Sequence, residues 1–97
     1  MRVTSVKTLK LFWEKHPDAE SSLGAWYTEA KKARWKGPQN IKNSYRTASI
    51  FPNNRVVFNI KGNAYRLIVA VKYEFQGVYV RFIGTHVAYD RIKAEEV

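Results

Sequence analysis

Cysteine is absent from this 97-residue chain, and histidine occurs only twice, at positions 16 and 86. Without thiols there are no disulfides and no thiolate–metal sites, so a reducing cytoplasm is the expected home. Long apolar runs are missing as well. The longest, residues 67–71, falls far short of the roughly 20 residues that a bilayer-spanning helix needs. The opening MRVTSVKTLKLFW lacks the unbroken apolar stretch of a signal peptide. Acidic groups are also scarce, 8 against 17 Lys and Arg, which leaves a net charge of +9. The shortage is local: between residues 31 and 89 eleven basic side chains face a single acid, Glu74, while the first thirty residues are balanced. A field of that sign draws polyanions and speeds encounter with them. A solvated basic face without a partner would have the same composition.

Hydrophobic residues make up 45% of the chain and aromatics 14%, enough for one modest core, so residues 1–97 are read as a single domain. Val6, Leu9, Phe12, Trp13 and His16 recur at helical spacing after Ser5, a candidate cap. Pro17 ends that pattern. A second helix, capped by Asp18 or a neighbour, carries Leu23, Trp26, Tyr27, Ala30 and Ala33, with Lys31, Lys32, Arg34 and Lys36 at its negative end. The tryptophans read as core. Residues 38–55 are polar and turn-rich, with one short helix begun by Pro38 and a turn at Asn53-Asn54.

From Arg55 the period changes to two. Residues 55–61, 64–73 and 78–84 are strand candidates, with tight turns at Gly62-Asn63 and over 74–77, which predicts an antiparallel meander. Centring the first turn on Gly62-Asn63 pairs Asn59 with Arg66 and Val57 with Ile68. One face then carries Val56, Phe58, Ile60, Tyr65, Leu67, Val69 and Val71 and packs on the helices. The other carries Arg55, Asn59, Lys61, Arg66 and Lys72. If Ala70 pairs with Arg81, this second face also gains Tyr79, Arg81, Ile83 and Thr85.

The third strand runs out in RFIGTHVAYD, residues 81–90, which places Thr85, His86, Tyr89 and Asp90 beside that basic face. Three readings of this cluster compete. A metal site would have only His86 and Asp90 as nearby ligands, among cations that repel a divalent ion. A structural cluster would have His86 and Tyr89 bonding backbone groups at the sheet edge. An acid–base site for phosphodiester cleavage would use the histidine for proton transfer near neutral pH and arginine forks for the charge on phosphorus. On this last reading Arg55, Asn59, Lys61, Arg66, Lys72, Tyr79 and Arg81 form the RNA-binding face.

The stretches VVFNIKGNAYRLIVAV (56–71) and VYVRFIGTHVAYDRI (78–92) resemble the HigB toxins of bacterial type II toxin–antitoxin systems, a branch of the RelE-like messenger-RNA interferases. The resemblance rests on PheAsnIle at 58–60, GlyAsn at 62–63, ArgLeu at 66–67, Arg81, and ThrHisValAlaTyrAsp at 85–90. It implies an α+β fold, with an N-terminal helical hairpin on a three- to four-stranded antiparallel sheet. It implies a ribosome-dependent endoribonuclease that cleaves translated messenger RNA through the 2′-oxygen, with no metal or other cofactor. It further implies a cognate HigA-type antitoxin with a helix-turn-helix domain, through which alone the toxin would meet operator DNA. Arg66 would bind phosphate, His86 and Tyr89 would transfer protons or stack, Lys61 would be a transition-state cation or base, and Arg81 a second phosphate contact. Two other functions fit the same charge. One is a non-catalytic module that binds RNA or the ribosome and blocks translation. The other is a domain whose basic face meets an acidic protein.

Overall fold

Apolar residues two apart on three strands and three or four apart on two helices must meet on one side of a sheet, and they do. The computed structural model describes residues 1–97, with strands β1 (Arg2–Thr4), β2 (Ser49–Phe51), β3 (Arg55–Ile60), β4 (Tyr65–Lys72) and β5 (Gly77–Thr85), and helices α1 (Val6–Lys15), α2 (Glu20–Lys32), α3 (Pro38–Ser44) and α4 (His86–Tyr89). The helical hairpin and the β3–β4–β5 meander agree with the sequence reading. The sheet itself is larger and mixed, with five strands in the order β1-β5-β4-β3-β2. Both extra strands are three residues long, too short to show a period. β1 is held by parallel pairing with β5, Arg2 against Gly77 through Thr4 against Tyr79. That non-local pairing corrects the expectation of a three- to four-stranded antiparallel sheet.

The principal core joins Leu9 of α1 and Leu23, Trp26 and Ala30 of α2 to the inward faces of the central strands. Trp26 stands edge-on to Phe58, with ring centroids 5.4 Å apart. Ile41 of α3 and Trp35 close one side of this layer. The caps differ from expectation. Ser5 occupies the N-cap of α1 with φ 74° and makes no side-chain bond there, and Asp18 lies in a 3-10 turn, Pro17–Ala19. α2 stops at Lys32, so Arg34 and Lys36 lie beyond it.

The predicted register of β3 and β4 is observed: Asn59 pairs with Arg66 and Val57 with Ile68. β5 departs from expectation. Ala70 pairs with Tyr79 rather than Arg81, and the ladder shifts between Ile68–Phe82 and Val69–Val80, which leaves Arg81 as a bulge. One inserted residue reverses every side chain beyond it. Ile83 and Thr85 therefore pair with Leu67 and Tyr65 on the helix side, while Phe82 and Gly84 take the second face opposite Ile68 and Arg66.

That second face is not an open basic surface. Val57, Ile68 and Ala94 form a small core of their own, packed by Phe51, Phe82, Tyr89, Ile92 and Val97. The C-terminal segment lies across the middle of the sheet and buries Ile68 completely. The cause is the apolar content of the face itself, because the alternation that puts Arg66 outward also puts Val57, Ile68 and Ala70 there. Covering them recovers about 25 cal/mol per Å² of apolar surface.

Candidate active site

The C-terminal segment that seals the sheet also brings His86, Tyr89 and Asp90 to Arg66. Thr85 begins α4 as its cap, its hydroxyl accepting from Ala88 N at 3.2 Å. The main-chain N–H of His86 donates to the carbonyl of Ala64 at 3.2 Å, which fastens the helix start to the β3–β4 turn. From β4, half-buried Arg66 extends over this corner. Its Nη1 donates to the Asn63 carbonyl at 2.9 Å, and its Nη2 lies 3.3 Å from His86 Nδ1. The guanidinium carbon sits 5.8 Å from the centre of the Tyr89 ring, within cation–π range. On the far side of the imidazole, Nε2 is 3.1 Å from Asp90 Oδ2.

These contacts determine the histidine tautomer. Arginine has no acceptor, so Nδ1 must present its lone pair to Arg66, and Nε2 then carries the hydrogen toward Asp90. The one basic nitrogen of the ring therefore points at the guanidinium, where an anion held by Arg66 would lie. Asp90 holds the ring in that orientation. His86 and Asp90 are both about half exposed, so a ligand arriving from solvent can reach them.

The remaining predicted residues are distributed differently. Arg55 donates from Nε and Nη2 to the main-chain oxygen of Val97 at 2.8 and 2.5 Å, and from Nη1 to the Asn53 carbonyl. Arg81 donates to the same Val97 oxygen from Nε at 3.3 Å. These two arginines thus help to hold the C-terminal segment. Arg81 stands exposed at its bulge, and Nε makes its one side-chain bond. Tyr79 is partly exposed, lying over Gly77 on the second face, and Lys72 is exposed at the end of β4. Asn59 is half-buried opposite Arg66.

Lys61 does not join the cluster. Its ammonium lies 2.8 Å from Asp18 Oδ2, across the helix-side edge of the sheet. Tyr65 donates its hydroxyl to the other oxygen of the same carboxylate at 2.5 Å. The Lys61 ammonium, with the Tyr65 hydroxyl second, holds the Asp18 carboxyl below its ordinary range. The same bond to Asp18, together with burial, pushes the Tyr65 phenol up, so that it stays protonated as a donor. Asp18 has no helical or strand periodicity to mark it, and 43 residues separate it from Lys61. Asp90 was visible as a neighbour of His86 in sequence, but its role in orienting the ring follows only from the turn of α4. No group of three or more His, Cys, Asp or Glu side chains converges anywhere in the chain.

A family model described as "HigB_toxin, RelE-like toxic component of a toxin-antitoxin system" matches residues 19–92, which includes Arg66, Arg81 and His86 through Asp90. The chain belongs to the HigB toxin family. A protein of Escherichia coli K12 named "mRNA interferase toxin HigB" is 32% identical over 92 residues, covering 93% of this chain and 88% of the relative. Proteins of Escherichia coli O157:H7 and Shigella flexneri, each named "mRNA interferase HigB", match to the same extent. Membership in a family of toxic components also means an antitoxin partner. No helix of this family member is long and apolar enough to cross a membrane.

Proposed function

We propose that this chain is the toxin of a type II toxin–antitoxin pair and an endoribonuclease that cleaves messenger RNA on the ribosome in the cytoplasm, through the RNA 2′-oxygen and without a metal. The observation that carries the reading is the 3.3 Å approach of Arg66 Nη2 to His86 Nδ1, which sets a phosphate-binding fork against a proton acceptor. A scissile phosphate binding Arg66 takes over its Nη2 hydrogen bond and frees Nδ1. The freed nitrogen accepts the 2′-hydroxyl proton as the 2′-oxygen bonds to phosphorus. Arg66 stabilises the charge on the phosphoryl oxygens. The bond to the 5′-oxygen breaks, and that oxygen takes a proton from Tyr89 or the imidazolium. The products are a 2′,3′-cyclic phosphate and a 5′-hydroxyl.

Arg81, exposed and bonded within the protein only through Nε, is a second phosphate contact. Tyr79 and Lys72 extend the path of RNA along the open end of the second face, beyond the C-terminal cover. Arg55 and Lys61 are already engaged by the protein, and so contribute to the field rather than to direct contact. The antitoxin is a HigA-type protein with a helix-turn-helix domain, which would carry the pair to operator DNA. Mapping new 5′-ends in messenger RNA after induction, beside His86→Ala, tests the proposal. Ends inside translated frames with the intact chain only would support it. Growth arrest with no new ends would instead support a module that binds the ribosome without cutting.

A further inference from the structure

Lys61 has a left-handed backbone, φ 51°, and Gly62 beside it has φ 63°. Glycine adopts that conformation freely, but a lysine there needs something to hold it. Asp18 supplies the hold: its two carboxylate oxygens take the Lys61 ammonium at 2.8 Å and the Tyr65 hydroxyl at 2.5 Å, one on each side of the β3–β4 turn. The other end of that turn carries the active corner. The Asn63 carbonyl receives Arg66 Nη1 at 2.9 Å, and the Ala64 carbonyl receives the His86 N–H at 3.2 Å. Residues 61–65 thus form a single short bridge, gripped by Asp18 on the helix side and gripping Arg66 and His86 on the other.

We propose that Asp18 is a positioning residue for the nuclease, setting the placement of Arg66 relative to His86 through Lys61 and the turn at 61–64. The role rests on the nuclease reading above. Asp18 touches neither RNA nor the reacting atoms. It acts because the Arg66–His86 contact depends on where two turn carbonyls stand, and displacements near 1 Å can cost about a hundredfold in rate. It also explains why Lys61, part of the predicted basic face, turns away from that face.

The test uses the full chain with Asp18→Asn, Lys61→Met and the double variant. Asn carries no charge and puts an NH2 donor where one of the two carboxylate oxygens stands, so it cannot accept from Lys61 and Tyr65 as Asp18 does. In a translation-coupled cleavage assay, each single change is expected to lower kcat by roughly three- to thirtyfold with KM little altered, and the double variant to be no slower than the worse single. Asp18→Glu should recover part of the rate, and Glu20→Gln, an exposed acid two residues on, should leave it unchanged. Multiplicative losses in the double variant, or a folded Asp18→Asn protein at full rate, would overturn the proposal while leaving the nuclease intact. If the unaltered chain makes no cuts, the nuclease reading falls, and NMR without RNA still decides the coupling. Asp18→Asn must shift the Arg66 side-chain and His86 ring signals. Changes confined to Asp18, Lys61 and Tyr65 would refute it.

Discussion

The cover over the second face of the sheet can be tested at Ile68, whose side chain has no exposed surface although the strand alternation directs it away from the helices. Ile68→Ala removes three carbons. At about 0.8 kcal/mol per buried methylene, the transfer loss alone is roughly 2.4 kcal/mol. The space left among Val57, Phe82 and Ala94 adds a cavity cost, which brings the expected destabilisation to about 3–4 kcal/mol. For a domain of this size, a loss of about 3 kcal/mol lowers Tm by at least roughly 12 °C. Urea unfolding of the unaltered chain, Ile68→Ala and Leu67→Ala measures it directly. Leu67 is the appropriate comparison, being the adjacent residue, fully buried on the helix side. If residues 86–97 seal the face, the two variants should fall within about 1.5 kcal/mol of one another, inside the usual spread for core truncations. An Ile68→Ala loss below about 1 kcal/mol, with Leu67→Ala costing its usual amount, would show that the C-terminal segment does not pack there. It would also undo the placement of His86 and Tyr89, which the same segment carries.

Arg66→Lys keeps the charge but loses the fork that reaches both the Asn63 carbonyl and His86, so cleavage should fall by about 10²-fold or more with Tm little changed; activity near the original would disconnect Arg66 from the chemistry. Gly84→Ala should cost about 1–3 kcal/mol in urea unfolding, because its methyl would come 2.5 Å from the Phe82 ring, and a neutral result would show that the ring yields freely. The carboxyl of Asp18 is held below its ordinary value of 3.8, so its bonds contribute fully above that value and are lost as pH falls through the lowered one. Stability measured against pH should therefore separate the unaltered chain from Asp18→Asn above about pH 4 and bring the two together in stronger acid. A constant gap down to the lowest pH would show that the charge of Asp18 is not what holds Lys61.

Much of the fold was legible because its signals are local. The switch in period at Arg55 separates helices from strands, and Gly62-Asn63 sets the β3–β4 register, which placed Arg66 opposite Asn59 correctly. The bulge at Arg81 was not legible. It lies in the register of β5 on β4, and no residue at 81 or 82 announces it. Plain alternation without the bulge puts Ile83 and Thr85 on the second face, whereas they stand on the helix side. β1 and β2 escaped for a related reason: three residues have no readable period, and their strand character comes entirely from the neighbours they pair with. Alternation puts Lys61 on the basic face, but its left-handed backbone and Asp18 take it to the opposite edge.

By itself, the sequence determined the charge of this protein, its two-layer arrangement, the strand that carries Arg66 and the short run from Thr85 to Asp90 that supplies the rest of the candidate site. Those features depend on residue identity and on spacing within a few positions. Tertiary structure alone decided that the second face would be covered rather than open, and that Arg55 and Arg81 would hold the main-chain oxygen of Val97. It also decided that His86 would present Nδ1 to Arg66, with Asp90 behind it. Each of these depends on which segments meet across the sheet. Burying Ile68 and Val57 under Ala94 is favourable only once β3 and β4 are paired, and the direction of an imidazole follows from the partners on both sides of it.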